Sequence, residues 1–295
     1  MKKKLLALAL ALTMVLALTA CGGDSKNSGD GTLPADTSGN AEQPEDVSGG
    51  DQAAANSDIA YIQDKGTLIV GMTDFAPMDY KEDGSDEWIG FDADMAKAFG
   101  ESLGVAVEFL ELADWDAKSM ELDTKAIDVV WNGMTLTDDV KALMGTSNPY
   151  CLNGQVVVVA ADKASQYQTV ESLGELNFAV ENGSAGAKQL DALNISYTAM
   201  QNQAAALMEV ASGASDAAVI DRLMAGAMIG EGTSYPDLTY TVQLNDEEYG
   251  VGFRKGSDLV DAFNTWWKDM YAEGMVLEVA EIYGVQEAVK GAVEG

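Results

Sequence analysis

The sequence predicts an α/β protein of two lobes, each a mostly parallel sheet flanked by helices. Three observations carry that expectation. The 295 residues suffice for two ordinary domains. Hydrophobic residues make up 47%, which supports a sizeable core and excludes global disorder. From about Ile59 onward, apolar runs of strand length alternate with helical patterns, as βα units on a parallel sheet do.

The first residues read as a targeting segment. Lys2-Lys3-Lys4 is a basic start, and Leu5 to Leu18 is an apolar stretch of 14 residues. A bilayer span needs roughly 20. The stretch ends in Leu18-Thr19-Ala20-Cys21-Gly22, which resembles the bacterial lipobox. That resemblance implies removal of residues 1–20 and acylation of Cys21; a plain secretory peptide or an uncleaved anchor is the competing reading. Two or three acyl chains hold a protein on a membrane where one binds marginally. Residues 21–57 hold Gly, Ser, Asp, Asn, Ala and Pro with almost nothing bulky, so they read as a disordered acidic tether.

Beyond the tether, Thr67–Met72 is expected as a buried strand. Asp92 is expected to cap a helix whose apolar face carries Met95, Ala98, Phe99 and Leu103. Strands at Val105–Leu110 and Ala126–Trp131 follow, with a short helix near Lys118–Leu122 between them. A second set begins after Gly154. Its strands are Gln155–Ala160, Asn177–Val180, Ile195–Ala199 and Asp216–Ile220, and helical signals fall at Gln201–Ala211 and Arg222–Ile229. The chain closes with a strand at Tyr249–Phe253 and helices at Asp258–Tyr271 and Met275–Tyr283. Ligands on such sheets bind at the carboxyl ends of strands and in the cleft between lobes.

Charge and composition narrow the function. There are 17 Lys+Arg against 48 Asp+Glu, a formal charge of −31 that becomes −34 if Lys2, Lys3 and Lys4 are removed. Only Arg222 and Arg254 are arginines, so a nucleic-acid partner is excluded: phosphates need clustered cations. With no His, there is no Ser-His-Asp triad and no His zinc site, and neither a metal nor a cofactor is expected. Cys21 and Cys151 do not form a disulfide framework, and Cys151 is expected as a buried free thiol. Trp131 and the pair Trp266-Trp267 are assigned to packing.

Several residues suit a zwitterion. Gly133 and Thr135 follow a strand in a glycine-containing turn, where a carbonyl, an N–H and a hydroxyl are offered; ordinary turn chemistry is the alternative. Ser184 sits between a strand and a helix, where free N–H groups attract an anion, or where it merely caps the helix. Asp221 ends an apolar strand and begins a helix, placed to pair an ammonium or to serve as an N-cap.

The motifs Gly90-Phe91-Asp92-Ala93-Asp94-Met95, Ile127 to Thr137, Thr146 to Tyr150, Val180 to Ser184, Asp216 to Asp221 and Tyr249 to Gly256 occur in order. Together, over roughly 59–285, they closely resemble the family 3 extracellular solute-binding proteins, amino-acid receptors of ABC importers. The resemblance implies a type II periplasmic-binding-protein fold with hinge crossings near 151–156 and 243–249. The lobes would then be 58–153, 154–245 and a return at 246–295. It implies that Asp221 holds the ligand's α-ammonium and that Phe75 and Trp115 stack on the ligand, with core burial as the competing account of both aromatics. Relatives carry an Arg that grips the ligand carboxylate where this chain has Val140. Either Lys141 or Arg222 substitutes, or the ligand has no carboxylate there.

The reading is thus a lipid-anchored receptor, catalysing nothing, that binds a polar amino acid or related small amine. It would sit as a monomer on the outer face of the cytoplasmic membrane and dock on an ABC permease. The alternatives are a receptor for a cationic amine lacking the usual carboxylate, a dehydratase-like enzyme on the same fold, and a sensor module, which would need transmembrane and kinase segments absent from this chain.

Overall fold

The computed structural model describes residues 57–291. The signal peptide, Cys21 and all of the expected tether but Ser57 lie outside the described residues. Ser57 is no longer tether: its hydroxyl accepts from Ala60 N and caps a helix, α1 (Asp58–Lys65), that the sequence reading did not separate. Among the described residues, no helix is long and apolar enough to cross a membrane.

The first half is built on a six-stranded sheet. Strand β1 (Thr67–Met72) pairs in parallel with β2 (Ala106–Glu111) on one side and with the central strand β3 (Val129–Thr135) on the other. β2 is the edge, largely exposed, and its Glu108 and Glu111 discourage pairing with another chain. Helix α2 (Phe91–Leu103) covers the sheet with Phe91, Met95, Ala96 and Phe99 buried; Ala96, rather than Ala98, completes that face. Asp92 does not cap α2. Gly90 occupies the N-cap, and Asp92 lies fully buried in the first turn, where it accepts from Gly133 N at 2.8 Å and Tyr150 Oη at 2.6 Å. The carboxylate stitches α2 to β3 instead of closing its own helix.

Helix α3 (Lys118–Asp123) precedes β3, and α4 (Asp138–Leu143) and the short strands β4 (Gly145–Thr146) and β5 (Cys151–Asn153) follow it. The chain then crosses at Gly154 into a second, five-stranded sheet. Its order is β10 (Leu238–Gln243), β6 (Gln155–Ala160), β9 (Ala217–Asp221), β7 (Phe178–Glu181) and β8 (Tyr197–Met200). Strand β6 is buried on both faces. Val156 and Val158 join the main core, and Val157 and Val159 join a second cluster with Leu173, Phe178 and Leu190. Helices α5 (Ala185–Ala192), α6 (Gln203–Ser212) and α7 (Arg222–Met228) connect these strands. Strand β11 (Glu247–Phe253) returns to the first sheet, followed by α8 (Leu259–Ala272) and α9 (Met275–Tyr283).

Both sheets keep the expected parallel core, yet they are mixed rather than mostly parallel. The strands that cross between halves enter against the grain: β11 is antiparallel to β3, β4 and β5, and β6 is antiparallel to β9 and β10. Strand β10 was not foreseen. The aromatic core is as expected. Trp131, Phe99, Phe263, Trp266 and Trp267 pack with ring centroids 5.0 to 6.5 Å apart, and Cys151 is a buried free thiol whose burial pushes its pKa up.

One ion cluster ties α1 to this sheet. Arg254 Nε donates to both oxygens of Asp58 at 3.0 Å, its Nη1 to Ile127 O at 2.9 Å, and its Nη2 to Asp128 at 3.3 Å; Lys65 pairs with Asp128 at 2.5 Å. Removing the guanidinium strands the Asp58 carboxylate and leaves Asp128 with Lys65 and the Ile69 N–H. Arg254→Ala is therefore expected to cost about 3–5 kcal/mol in urea unfolding. A loss under 1 kcal/mol would mean that solvent replaces the cluster.

Candidate functional site

The two halves meet around a small cavity of about 40 Å³. Trp115, Gly133, Thr135, Ser184 and Asp221 are among the residues that line it. Four contacts close the halves over it. Thr73 Oγ1 lies 3.2 Å from Glu181 Oε1, Asn182 Nδ2 donates to Asp114 Oδ1 at 3.0 Å, Lys188 pairs with Asp139 at 2.8 Å, and the backbone of Gly183 abuts Asp116. Gly183 has φ of 66°, and a Cβ there would meet the Asp116 Cβ at 2.5 Å, so only glycine permits this approach.

Gly133 and Thr135 are not in a turn after the strand; they are its last residues. β3 runs on to Thr135, and its pairing with β11 slips around Gly133, whose φ is 55°. The distortion exposes the strand end to the cavity. The Gly133 N–H is not offered to a ligand, because Asp92 already accepts it. Phe75 does not line the cavity either. It is 1% exposed and packs behind Gly133, edge-on to Tyr249 at 6.3 Å. That is the core-burial reading.

Asp221 ends β9 and stands at the N-cap position of α7, but its side chain makes no cap bond and is turned to other partners. Its Oδ1 accepts from Gln155 Nε2 at 2.9 Å, Tyr249 Oη at 2.6 Å and Asn153 Nδ2, and its Oδ2 accepts from Gln203 Nε2. Glu247 shares the Asn153 and Gln155 amides at 2.7 and 2.8 Å. Burial first, then the Glu247 charge, pushes the Asp221 carboxyl well above the usual range. A ligand cation would relieve both effects. Ser184 does cap its helix, accepting from Ala187 N at 3.1 Å, while it also lines the cavity, so both readings hold there.

Val140, at the position where the resemblance expects Arg, faces the cavity as an apolar wall. Neither substitute reaches it. Lys141 is exposed on the outer side of α4, and Arg222 extends to Gln243 at 3.4 Å. The cavity's cations are instead Lys118 and Lys188. Lys118 is buried, 4.8 Å from the Trp115 ring centroid and donating to Trp115 O at 3.0 Å; burial pushes its pKa down to about 8. Glu181, Asn132, Thr137 and Gln203 also line the cavity and were missed. The sequence carries faint signals for some of them: Lys118 is one helical turn beyond Trp115, and Lys188 one turn beyond Ser184. Among the described residues, no cluster of His, Cys, Asp and Glu is arranged to hold a metal.

Comparison with known proteins finds relatives of the chain and of its fold. Residues 68–286 match the family described as bacterial extracellular solute-binding proteins, family 3. The arginine-binding extracellular protein ArtP of Bacillus subtilis is 29% identical over 281 residues, 92% of this chain and 94% of its own length. A mutant of ArgBP from T. maritima superposes with a TM-score of 0.71 at 31% identity, covering 77% of this chain and 99% of that one. AncCDT-1, an ancestral amino acid-binding protein and precursor of cyclohexadienyl dehydratase, gives 0.70 at 31% identity, with coverage of 77% and 99%.

The buried Asp92 makes stability depend on pH. Burial pushes its pKa from 3.8 to about 7, so the native chain keeps a proton that the unfolded chain releases above pH 4. Stability is then greatest on the acid side and falls as pH rises towards 7. Urea unfolding at pH 5 and 7.5 is expected to show this fall, and Asp92→Asn to make it shallower. Equal slopes would place an ionised carboxylate in the folded protein.

Proposed function

Because this chain belongs to the bacterial extracellular solute-binding proteins, family 3, we propose that it captures a polar amino acid between its two lobes and delivers it to an ABC permease. The observation that carries the ligand assignment is Asp221, a buried carboxylate that faces the cavity, holds only neutral donors and caps nothing. The ligand ammonium pairs with it. The carboxylate is received by Lys118 and Lys188 together with Ser184 at the start of α5, in place of the side chain that Val140 lacks. Trp115 supplies an apolar wall. The named substrates of relatives such as ArtP support an amino acid over an amine without a carboxylate.

The lobes comprise 58–153 with 246–295, and 154–245. They close by bending where β5 leads into β6 and β10 into β11. Acylated Cys21 holds the protein, as a monomer, on the outer face of the cytoplasmic membrane, with residues 21–57 as leash. It releases its ligand unchanged. The likeness to AncCDT-1 keeps turnover worth measuring, since Glu181 is a second carboxylate in the cavity.

Isothermal calorimetry against amino acids, their carboxamides and their decarboxylated amines tests the assignment. The free carboxylate is expected to be preferred at least tenfold; equal binding of the amine would overturn it. Asp221→Asn is expected to lose about 2–5 kcal/mol of affinity. Lys118→Met is expected to weaken the acid but not the carboxamide, whereas Lys141→Met leaves both unchanged. In cells, Cys21→Ser is expected to leave the membrane fraction; a processed Cys21→Ser protein that stays membrane-bound would refute lipid anchoring.

A further inference from the structure

Glu181, the last residue of β7, is fully enclosed where the two halves meet. Its partner across the cleft is Thr73, and the protons of that contact can be counted. Asn132 Nδ2 donates to Thr73 O at 2.9 Å and to Asp79 Oδ2 at 2.8 Å, which fixes the orientation of the amide. Asn132 Oδ1 is therefore an acceptor, and it receives Thr73 N at 3.1 Å and Thr73 Oγ1 at 2.9 Å. The single hydroxyl hydrogen of Thr73 is thereby committed, and a lone pair faces Glu181 Oε1 at 3.2 Å. An ionised carboxylate would set lone pair against lone pair. Only a protonated one makes a bond.

We propose that Glu181 positions the two halves of the closed cleft as a neutral carboxylic acid, donating its proton to Thr73 Oγ1 and taking one up from solvent as the cleft closes. The surroundings agree. Lys118 on α3 faces Glu181, but its ammonium is turned to Trp115 O, and it forms no ion pair with Glu181 among the described residues. Gln203 on α6 and Asp114 are the other groups facing Glu181; Asp116 and Lys188 face Lys118, and Asp221 lines the same cavity. Burial outweighs the pull of the Lys118 charge and the Gln203 amide and raises the Glu181 pKa from 4.5 to about 7.

The sign follows. Below about pH 4.5 an exposed Glu181 and an enclosed one are both protonated. Between there and about 7 only the closed cleft holds the proton, and above it closure loses the bond. Ligand affinity is thus expected to fall roughly tenfold between pH 5.5 and 7.5, with proton uptake on binding. Glu181→Gln, whose amide donates at every pH, is expected to flatten this fall.

The inference rests on the amino-acid reading for its probes, L-arginine, L-histidine and L-glutamine. Calorimetry at pH 6 in two buffers of different ionisation heat measures the protons bound with the ligand. Wild type is expected to take up close to one proton more than Glu181→Gln. Equal uptake, or wild-type affinity that rises with pH, overturns the proposal and makes Glu181 an ionised partner of the ligand. If no probe gives heat with either protein, the amino-acid reading fails. Small-angle scattering of the unliganded full chain then decides the latch: acid must reduce the radius of gyration of wild type and not of Glu181→Gln, and equal radii overturn it.

Discussion

The arrangement of this molecule turns on a carboxylate that burial would not tolerate alone. Asp221 is enclosed at the point where β9 ends, and both crossing strands contribute to its hydrogen bonds: Asn153 at the end of β5, Gln155 at the start of β6 and Tyr249 in β11, with Gln203 from α6. An unpaired charge in such a place costs several kcal/mol, so the donors must be present for the fold to persist. Since they come from the crossings, the cage that steadies Asp221 also fixes where one half meets the other. Glu247 draws on the same two amides, leaving a surplus of negative charge that a ligand cation is suited to offset.

The same logic runs through the first half. A chain of polar groups leads from Asp79 through Asn132 and Thr73 to Glu181, from the floor of one half to the wall of the other. Beside it, Asp92 holds Gly133 and Tyr150. Burial raises the pKa values of Asp79, Asp92, Glu181 and Asp221 alike, and lowers that of Lys118. The cavity is therefore set by desolvation as much as by shape, and its response to a charged ligand is electrostatic before it is steric.

The local features were legible because they rest on local physics. Strand and helix positions follow from apolar periodicity, and Trp115, Ser184 and Asp221 stood out because each sits at an element end, where cavities form on α/β sheets. Other features were hidden. The sequence holds 17 Lys and Arg, and nothing local distinguishes Lys118 or Lys188 from Lys141; only the direction each helix faces in the assembled protein separates a cavity wall from solvent. Asp92 looked like a helix cap because an acid before an apolar periodic run usually is one, and its actual partners are 41 and 58 residues away.

By itself the sequence determined that two α/β layers would form, that the aromatic cluster around Trp131 would be core, and that an acid would end the strand at Asp221. Each of these is set by the hydrophobic period or by a residue's own chemistry over a few positions. Tertiary structure alone decided that β11 and β6 would run antiparallel in their sheets, that Phe75 would sit behind Gly133 rather than on the cavity, and that Glu181 would face Thr73 across the cleft. Those outcomes depend on which distant segments exclude water from one another, and burial of that kind, unlike periodicity, leaves no trace in the order of neighbouring residues.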